Sequence, residues 1–331
     1  MQSYQMQNAH NRLIQFKARE MGIECHLLIP GCEDFLELTH QGRTVVINKT
    51  RTHKMPLMAG LLAKNKEASN LLMQREGLPI PEYKVVQEIT EEALDFLHAC
   101  HIVTVKPLDS SQSAGVTLRI QTDAELLIAA ETALIHSKRI MIQKYVPGVD
   151  YRILVIAGKV AGVLEYRPAF LIGDGHSTVE ELIHQLNLEQ IQRNKLGEEG
   201  SFRPVHVASK PVLSQLNQLG ITRESVPEVG EGIELFTVGN LLANEISEVV
   251  TDRSCDICSF NEQAAIKAAE ILGVDVAGVD VRCQDIGQPL AGENGGIIEV
   301  NALPDLIDPY LFLQGSYVDV FERYIRYLFE Q

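Results

Sequence analysis

Gly296-Ile297-Ile298-Glu299-Val300-Asn301-Ala302-Leu303-Pro304 is the stretch on which the reading of this chain turns. Apolar and polar residues alternate through its centre, the period of a strand with one buried face. Glu299 and Asn301 then share one face, two residues apart, while Ile298 and Val300 point the other way. A second run, Val276–Cys283 (VAGVDVRC), sets Asp280 against Val279 and Val281 in the same manner. A carboxylate on an otherwise apolar strand is costly unless it is paired or binds a cation. Asp, Glu and Asn oxygens are the hard ligands Mg²⁺ prefers, and Mg²⁺ commonly shares its shell with substrate phosphates. The same spacing also suits an antiparallel pair with one solvated face, and spacing alone does not choose between them.

Outward from these strands, helix and strand signals interleave. Asn261–Leu272 reads as an amphipathic helix, with Asn261 expected as its N-cap and Gly273 as its stop. The run 151–169 (YRILVIAGKVAGVLEYRPA) is two apolar strands flanking a turn at Ala157-Gly158-Lys159, a hairpin signal. Residues 82–143 alternate strand and helix as a compact α+β unit: YKVV, TEEALDFLHAC, IVTVKPL, VTLRI, DAELLIAAETALIH and RIMIQKYV. A helix starts near Asn65, and residues 9–21 form another that Gly22 ends. The runs IECHLLI and RTVVIN read as strands of a small α/β lobe over about 1–64, and VFERYIRYLFE has helical periodicity. Residues 176–235 are polar, helical and broken by Gly and Pro, like an insertion.

Composition narrows the function classes. The chain has 331 residues, enough for two or three domains. Lys and Arg number 29 against 44 Asp and Glu, so the net charge of −15 repels phosphate backbones and nucleic acid is not an expected partner. No window of 18 apolar residues occurs, so no spanning helix is expected, and the first residues lack the apolar core of a signal peptide. Six cysteines in this length suggest free thiols in a reducing cytoplasm. Cys255-Asp256-Ile257-Cys258 is a lone C-x-x-C, without the second pair zinc needs or the surroundings of a thioredoxin-like site. There is no H-E-x-x-H, no G-x-S-x-G elbow and no P-loop.

Two further elements bear on chemistry. Lys106 ends the apolar strand IVTVKPL and is placed either to meet a phosphate as a point charge or to guard a sheet edge. Lys66, at a helix start, is similarly open. The strand RIMIQKYV, its turn and Asp150 offer backbone donors and acceptors over Gln143–Val146 for a purine, and a carboxylate for a ribose hydroxyl.

Taken in order, KPLDSSQSAGV, IQKYVPGVDYRILVIAGKV, PAFLIGDGHSTVEELI, AGVDV and GIIEVNALP resemble the ATP-grasp ligases. The resemblance is nearest to the ATP-grasp part of cyanophycin synthetases and of the fused bacterial glutathione-synthesising enzymes. The run Gly173-Asp174-Gly175-His176-Ser177-Thr178-Val179-Glu180-Glu181-Leu182 is particular to that branch. The similarity runs from about Ala63 to Pro309, and no Mur-ligase-like second half follows.

The resemblance implies an α+β ATP-grasp fold. Its expected parts are an N-terminal lobe over 1–64, a central lid lobe over 65–145, and a C-terminal lobe over 146–331 with an insertion at about 176–250. It implies a nucleotide held between two lobes, with Lys66 and Lys106 on ATP phosphates, Gln143 and Val146 at the adenine, Asp150 on the ribose and Ser111 in the phosphate loop. Asp280, Glu299 and Asn301 match the triplet that holds Mg²⁺, or Mn²⁺ in its place. The implied reaction joins a small amino-acid-like carboxylate to an amine through an acyl phosphate, with Arg152 and Arg167 as candidates for contacting acyl phosphate or carboxylate. A homodimer is the default quaternary expectation.

The chain departs from this family where substrates would sit. Gln143 replaces the usual Glu, and the glycine-rich phosphate loop is Ser110-Ser111-Gln112-Ser113-Ala114-Gly115, with one glycine. The run Phe236–Glu245 lacks the arginine and the glycine pair expected before Thr251-Asp252. Pro304 is followed by Asp305 rather than Gly, and the arginine expected near Glu165 is displaced to Arg167. Two other functions therefore stay open: a degenerate nucleotide-binding regulatory subunit, and an acyl-phosphate former with a non-amine acceptor.

Overall fold

The computed structural model describes residues 6–109, 114–193, 203–236, 247–313 and 319–330. In chain order the elements are α1 (Ala9–Glu20), β1 (Glu24–Ile29), β2 (Cys32–His40), β3 (Arg43–Ile47), α2 (Leu57–Lys64), α3 (Lys66–Arg75), β4 (Tyr83–Val86), α4 (Glu91–Cys100), β5 (Val103–Pro107), β6 (Thr117–Ile120), α5 (Asp123–Leu134) and β7 (Ile140–Lys144). Then follow β8 (Val149–Ile156), β9 (Lys159–Pro168), β10 (Phe170–Ile172), α6 (Val179–Arg193), α7 (Lys210–Gln218), β11 (Gly232–Glu234), β12 (Glu248–Asp252), α8 (Ser259–Leu272), β13 (Val276–Cys283), β14 (Gly295–Asn301), α9 (Ile307–Phe312) and α10 (Val320–Phe329). The mixture of helices and antiparallel sheets is the expected α+β class. The chain divides into two compact units, one of residues 1–80, 148–165 and 251–331, the other of 81–147 and 166–250.

The first unit is built on a five-stranded sheet in the order β12-β9-β8-β13-β14. The β8–β9 turn has Ala157 at φ 53° and Gly158 at φ 69°, the two positive values a two-residue hairpin needs. Helices α3 and α8 pack on one face of this sheet, and Met73, Ile153, Val155, Ala265, Ala268, Val279 and Ile297 form the core between them. The runs of alanine in α8 let the helix lie close to the strands. Gly273 ends α8 at φ 71°, as the sequence indicates. Asn261 is not the N-cap: the helix starts at Ser259 after Cys258, and Asn261 is fully buried inside the first turn. Its Nδ2 donates to the carbonyls of Ile286 and Gln288 and its Oδ1 accepts from Leu290 N–H. A buried amide that satisfies three backbone groups of the loop after β13 outweighs the capping preference.

The same unit holds a three-stranded antiparallel sheet, β1-β2-β3. Its middle strand, β2, and the helix α2 have no counterpart in the sequence reading. In β2, Glu33, Asp34 and Glu37 interrupt the apolar alternation, and only Leu36 and Leu38 are fully buried. Helix α10 lies against this region, and its Tyr324 hydroxyl donates to the Lys49 carbonyl.

The second unit contains the sheet β4-β7-β5-β6, with α4 and α5 covering the face that carries Val103, Val105, Ile140 and Ile142. Beside it in sequence is a smaller cluster in which α6 and α7 pack around the β10–β11 pair through Leu171, Val179, Ile183, Leu216 and Ile233. The GDG motif makes the entry to α6. A Cβ on Gly173 would lie 2.1 Å from the Glu228 carbonyl oxygen, so nothing larger fits there. Gly175 stands at φ 79°. Asp174 accepts from the backbone N–H groups of His176 and Ser177 and from the Ser177 hydroxyl. Those donors hold its carboxyl down at about 2. Thr178 and Glu181 form a reciprocal cap: Glu181 N–H donates to Thr178 Oγ1, and Thr178 N–H donates to Glu181 Oε2. The motif that best marks the branch of resemblance is thus a helix-entry device.

Candidate active site

Strands β13 and β14 pair antiparallel with Asp280 opposite Glu299 and Gly278 opposite Asn301, and a register irregularity follows Asp280. Residues directly opposite share a face, so the pairing brings Asp280, Glu299 and Asn301 together. Like charges facing one another across a ladder repel, and three donors compensate here. Asn301 Nδ2 donates to Asp280 Oδ2 at 2.9 Å and lies 3.3 Å from Glu299 Oε1. Lys66 Nζ, at the start of α3, stands 3.8 Å from Glu299 Oε2. Arg152 lies opposite Asp280 on β8 and grips it with both arms of its guanidinium, Nε to Oδ1 at 2.7 Å and Nη2 to Oδ2 at 3.0 Å. Side-by-side hydrogen bonds of this kind are the strongest geometry for an arginine and a carboxylate.

Two carboxylates, each within a hydrogen-bond length of one amide, fit a hard divalent cation. The Asn301 amide, turned over, presents Oδ1 where Nδ2 now meets the carboxylates. Among the described residues no cluster of three His, Cys, Asp or Glu side chains is arranged to hold a metal, so the amide is needed to complete this donor set.

Asp150 lies on β8 opposite Arg282, whose Nη1 donates to its Oδ2 at 2.7 Å. The carboxylate is half-exposed, and Arg282 is a partner the sequence reading did not name. Glu165 is buried, and its Oε2 accepts from Tyr151 hydroxyl at 3.2 Å and from Arg253 Nε at 3.1 Å. Arg253 was overlooked, although it directly follows the Thr251-Asp252 pair.

The second unit holds the other sequence-selected residues. β5 lies inside the sheet, between β7 and β6, so Lys106 is not an edge-strand lysine. It is buried, and its Nζ donates to Gln143 Oε1 at 2.9 Å. Gln143 lies opposite Thr104 on β7, away from the face covered by α4 and α5. Val146 follows β7 and is half-buried, and Arg167 sits near the end of β9. Ser111 and most of Phe236–Glu245 lie outside the described residues. A separate cleft of about 760 Å³ beside α6, lined among others by His176, His184 and His206, contains none of the site residues named from the sequence. All six cysteines are free thiols, and among the described residues no helix is long and apolar enough to cross a membrane.

Known proteins share the sequence pattern and the fold of this chain. Residues 78–170 match the family described as "Prokaryotic glutathione synthetase, ATP-grasp domain". The chain is 34% identical over 257 residues to a cyanophycin synthetase of Nostoc sp., which covers 77% of this chain and 28% of that protein. It is 27% identical over 301 residues to a bifunctional glutathione biosynthesis protein of Clostridium perfringens, covering 88% of this chain and 37% of the relative. A crystal structure of a bifunctional glutathione synthetase from Pasteurella multocida superposes with a TM-score of 0.73 at 21% identity, over 97% of this chain and 44% of that one. The fold and the sequence similarity are those of an ATP-grasp protein. The chain belongs to the ATP-grasp superfamily, on the side of it that holds the cyanophycin and bifunctional glutathione synthetases. It spans between a quarter and two fifths of the length of these curated relatives.

Proposed function

We propose that this chain is an ATP-dependent carboxylate–amine ligase that makes an amide bond between small amino-acid-like substrates. The observation that carries the reading is the convergence of Asp280, Glu299 and Asn301 on paired strands, with Arg152 gripping Asp280 and Lys66 beside Glu299. Asp280, Glu299 and Asn301 would hold Mg²⁺, which when bound supplies charge neutralisation at the nucleotide's terminal phosphates.

The chain's own residues do the rest of the work by positioning and charge. Lys66 and Lys106 bind phosphate oxygens as point charges, and Gln143 and Val146 orient the base. Asp150, held by Arg282, accepts from the ribose. A substrate carboxylate oxygen attacks the γ-phosphorus, the bond to the β–γ bridging oxygen breaks, and ADP leaves. The resulting acyl phosphate is attacked at carbon by an uncharged amine nitrogen. Phosphate departs, and the nitrogen's extra proton is lost as the amide forms. Arg152 and Arg167 are the candidates for steadying the acyl phosphate and the incoming carboxylate, because the guanidinium fork matches both. Free thiols throughout fit a cytoplasmic setting.

The test is ADP release over a panel of amino acids and dipeptides, with the wild-type chain, Lys106→Ala and Glu299→Gln. ADP release that needs both an acid and an amine supports the reading. Lys106→Ala weakens ATP binding, and Glu299→Gln lowers Mg²⁺-dependent turnover. Nucleotide binding with no turnover for any pair rejects the ligase reading in favour of a regulatory subunit. Hydroxamate formation without amide product rejects the amine acceptor.

A further inference from the structure

We propose that the Gln143 side chain reads the nucleotide base as a hydrogen-bond donor, and that this chain therefore accepts 6-oxopurine triphosphates alongside ATP. The inference rests on the nucleotide-binding reading above and names the base selectivity of that same site.

It starts from a buried atom. Gln143 is 4% exposed on an internal strand, and among the described residues its Nε2 meets no acceptor. Buried polar groups are almost always paired, and a primary amide with an idle N–H₂ loses its hydration for no return. The orientation of the amide is fixed by chemistry. Lys106 Nζ lies 2.9 Å from Oε1, and an ammonium group only donates. Turning the amide over would set two donors against each other. The idle atom is therefore a donor, and the group it awaits is an acceptor.

A glutamate at this position would behave in the opposite sense. It would present only lone pairs, which suit the 6-amino group of adenine. Gln143 instead turns its idle donor, Nε2, toward whatever it meets, and a donor matches the O6 acceptor of a 6-oxopurine. Hypoxanthine and guanine offer O6 and N7 side by side, whereas adenine offers N7 alone with an amino group next to it. One hydrogen bond gained or lost at a desolvated site changes affinity by about tenfold.

ATP and ITP differ at purine position 6 and in the proton that ITP carries on N1, and the N1 difference is common to all variants, so the change of their affinity ratio between variants isolates this contact. The experiment measures the dissociation constants of both, with Mg²⁺, by calorimetry on the full chain, for the wild type and for Gln143→Glu and Gln143→Met. Wild type should bind ITP within about threefold of ATP, and Gln143→Glu should move the ratio by about tenfold toward ATP. Gln143→Met, which keeps the bulk without the donor, should lose ITP affinity more than ATP affinity. A ratio that is the same in all three proteins overturns the proposal and leaves the nucleotide reading standing. Failure of the wild-type chain to bind either nucleotide overturns both. A fold defect in one variant would lower both affinities together and leave the ratio to be read from the other.

Discussion

Asp280→Asn changes one charge and almost no volume, so it separates the ion-pair role that Asp280 has from the cation-ligand role proposed for it. As an ion-pair partner it is gripped by Arg152 at 2.7 and 3.0 Å, with the two side chains 23% and 28% exposed. That lies between a surface pair, worth under about 1 kcal/mol, and a fully buried one, whose rupture costs about 3–5 kcal/mol, so roughly 1–2 kcal/mol is expected. Relief of the repulsion from Glu299, directly across the ladder, returns a few tenths (about 0.2–1 kcal/mol). The net loss is about 1 kcal/mol, a modest fall in the urea midpoint. As the cation ligand proposed above, Asp280 would supply one of two formal charges, and its loss should weaken Mn²⁺ binding by about tenfold or more. Titration of Mn²⁺ by electron paramagnetic resonance, with ATP present, reads that quantity directly. Arg152→Met is the control: it breaks the same ion pair and keeps both carboxylates, so it should destabilise comparably without weakening Mn²⁺. If Asp280→Asn lowers the urea midpoint but holds Mn²⁺ within about twofold of wild type, Asp280 serves Arg152 alone and the reasoning fails.

Three further outcomes follow from the structure. Thr178→Ala removes one half of the reciprocal cap at the start of α6 and should cost about 1 kcal/mol, measured by thermal unfolding followed by circular dichroism. Asp174 should titrate at about 2 by carbon NMR, and Ser177→Ala should bring it up toward the ordinary carboxylate value. Its folded value is depressed, so its stabilising effect is present above the unfolded value and is lost as pH falls toward 2. Burial pushes the thiols of Cys25 and Cys283 up to about 12, whereas Cys255 is exposed. Mass spectrometry after brief alkylation of the native protein at pH 8 should find Cys255 labelled and Cys25 and Cys283 unlabelled until denaturant is added.

What could be read from the sequence divides along physical lines. Strand parity is local, so the shared face of Glu299 and Asn301 and the outward turn of Asp280 follow from the alternation itself. The partners Arg152 for Asp280 and Arg282 for Asp150 depend on the pairing of β8 with β13, more than 120 residues apart in sequence, and no local pattern carries that register. Lys106 shows the same limit: an edge lysine and an interior one look alike until the order β4-β7-β5-β6 is known. Strand β2 escaped because its sheet is only half-buried and its acidic residues blur the period. Asn261 misled because a residue favoured at caps is equally apt to pin a buried loop, and only the tertiary fold says which.

The central claim is that a carboxylate oxygen attacks ATP and departs with the phosphate. It is tested most directly with an acid substrate labelled with ¹⁸O in its carboxylate, incubated with ATP, Mg²⁺, an amine and the wild-type chain. The account predicts ADP, an amide, and inorganic phosphate carrying one labelled oxygen for each amide formed. Unlabelled phosphate, or AMP and pyrophosphate in place of ADP, would contradict it.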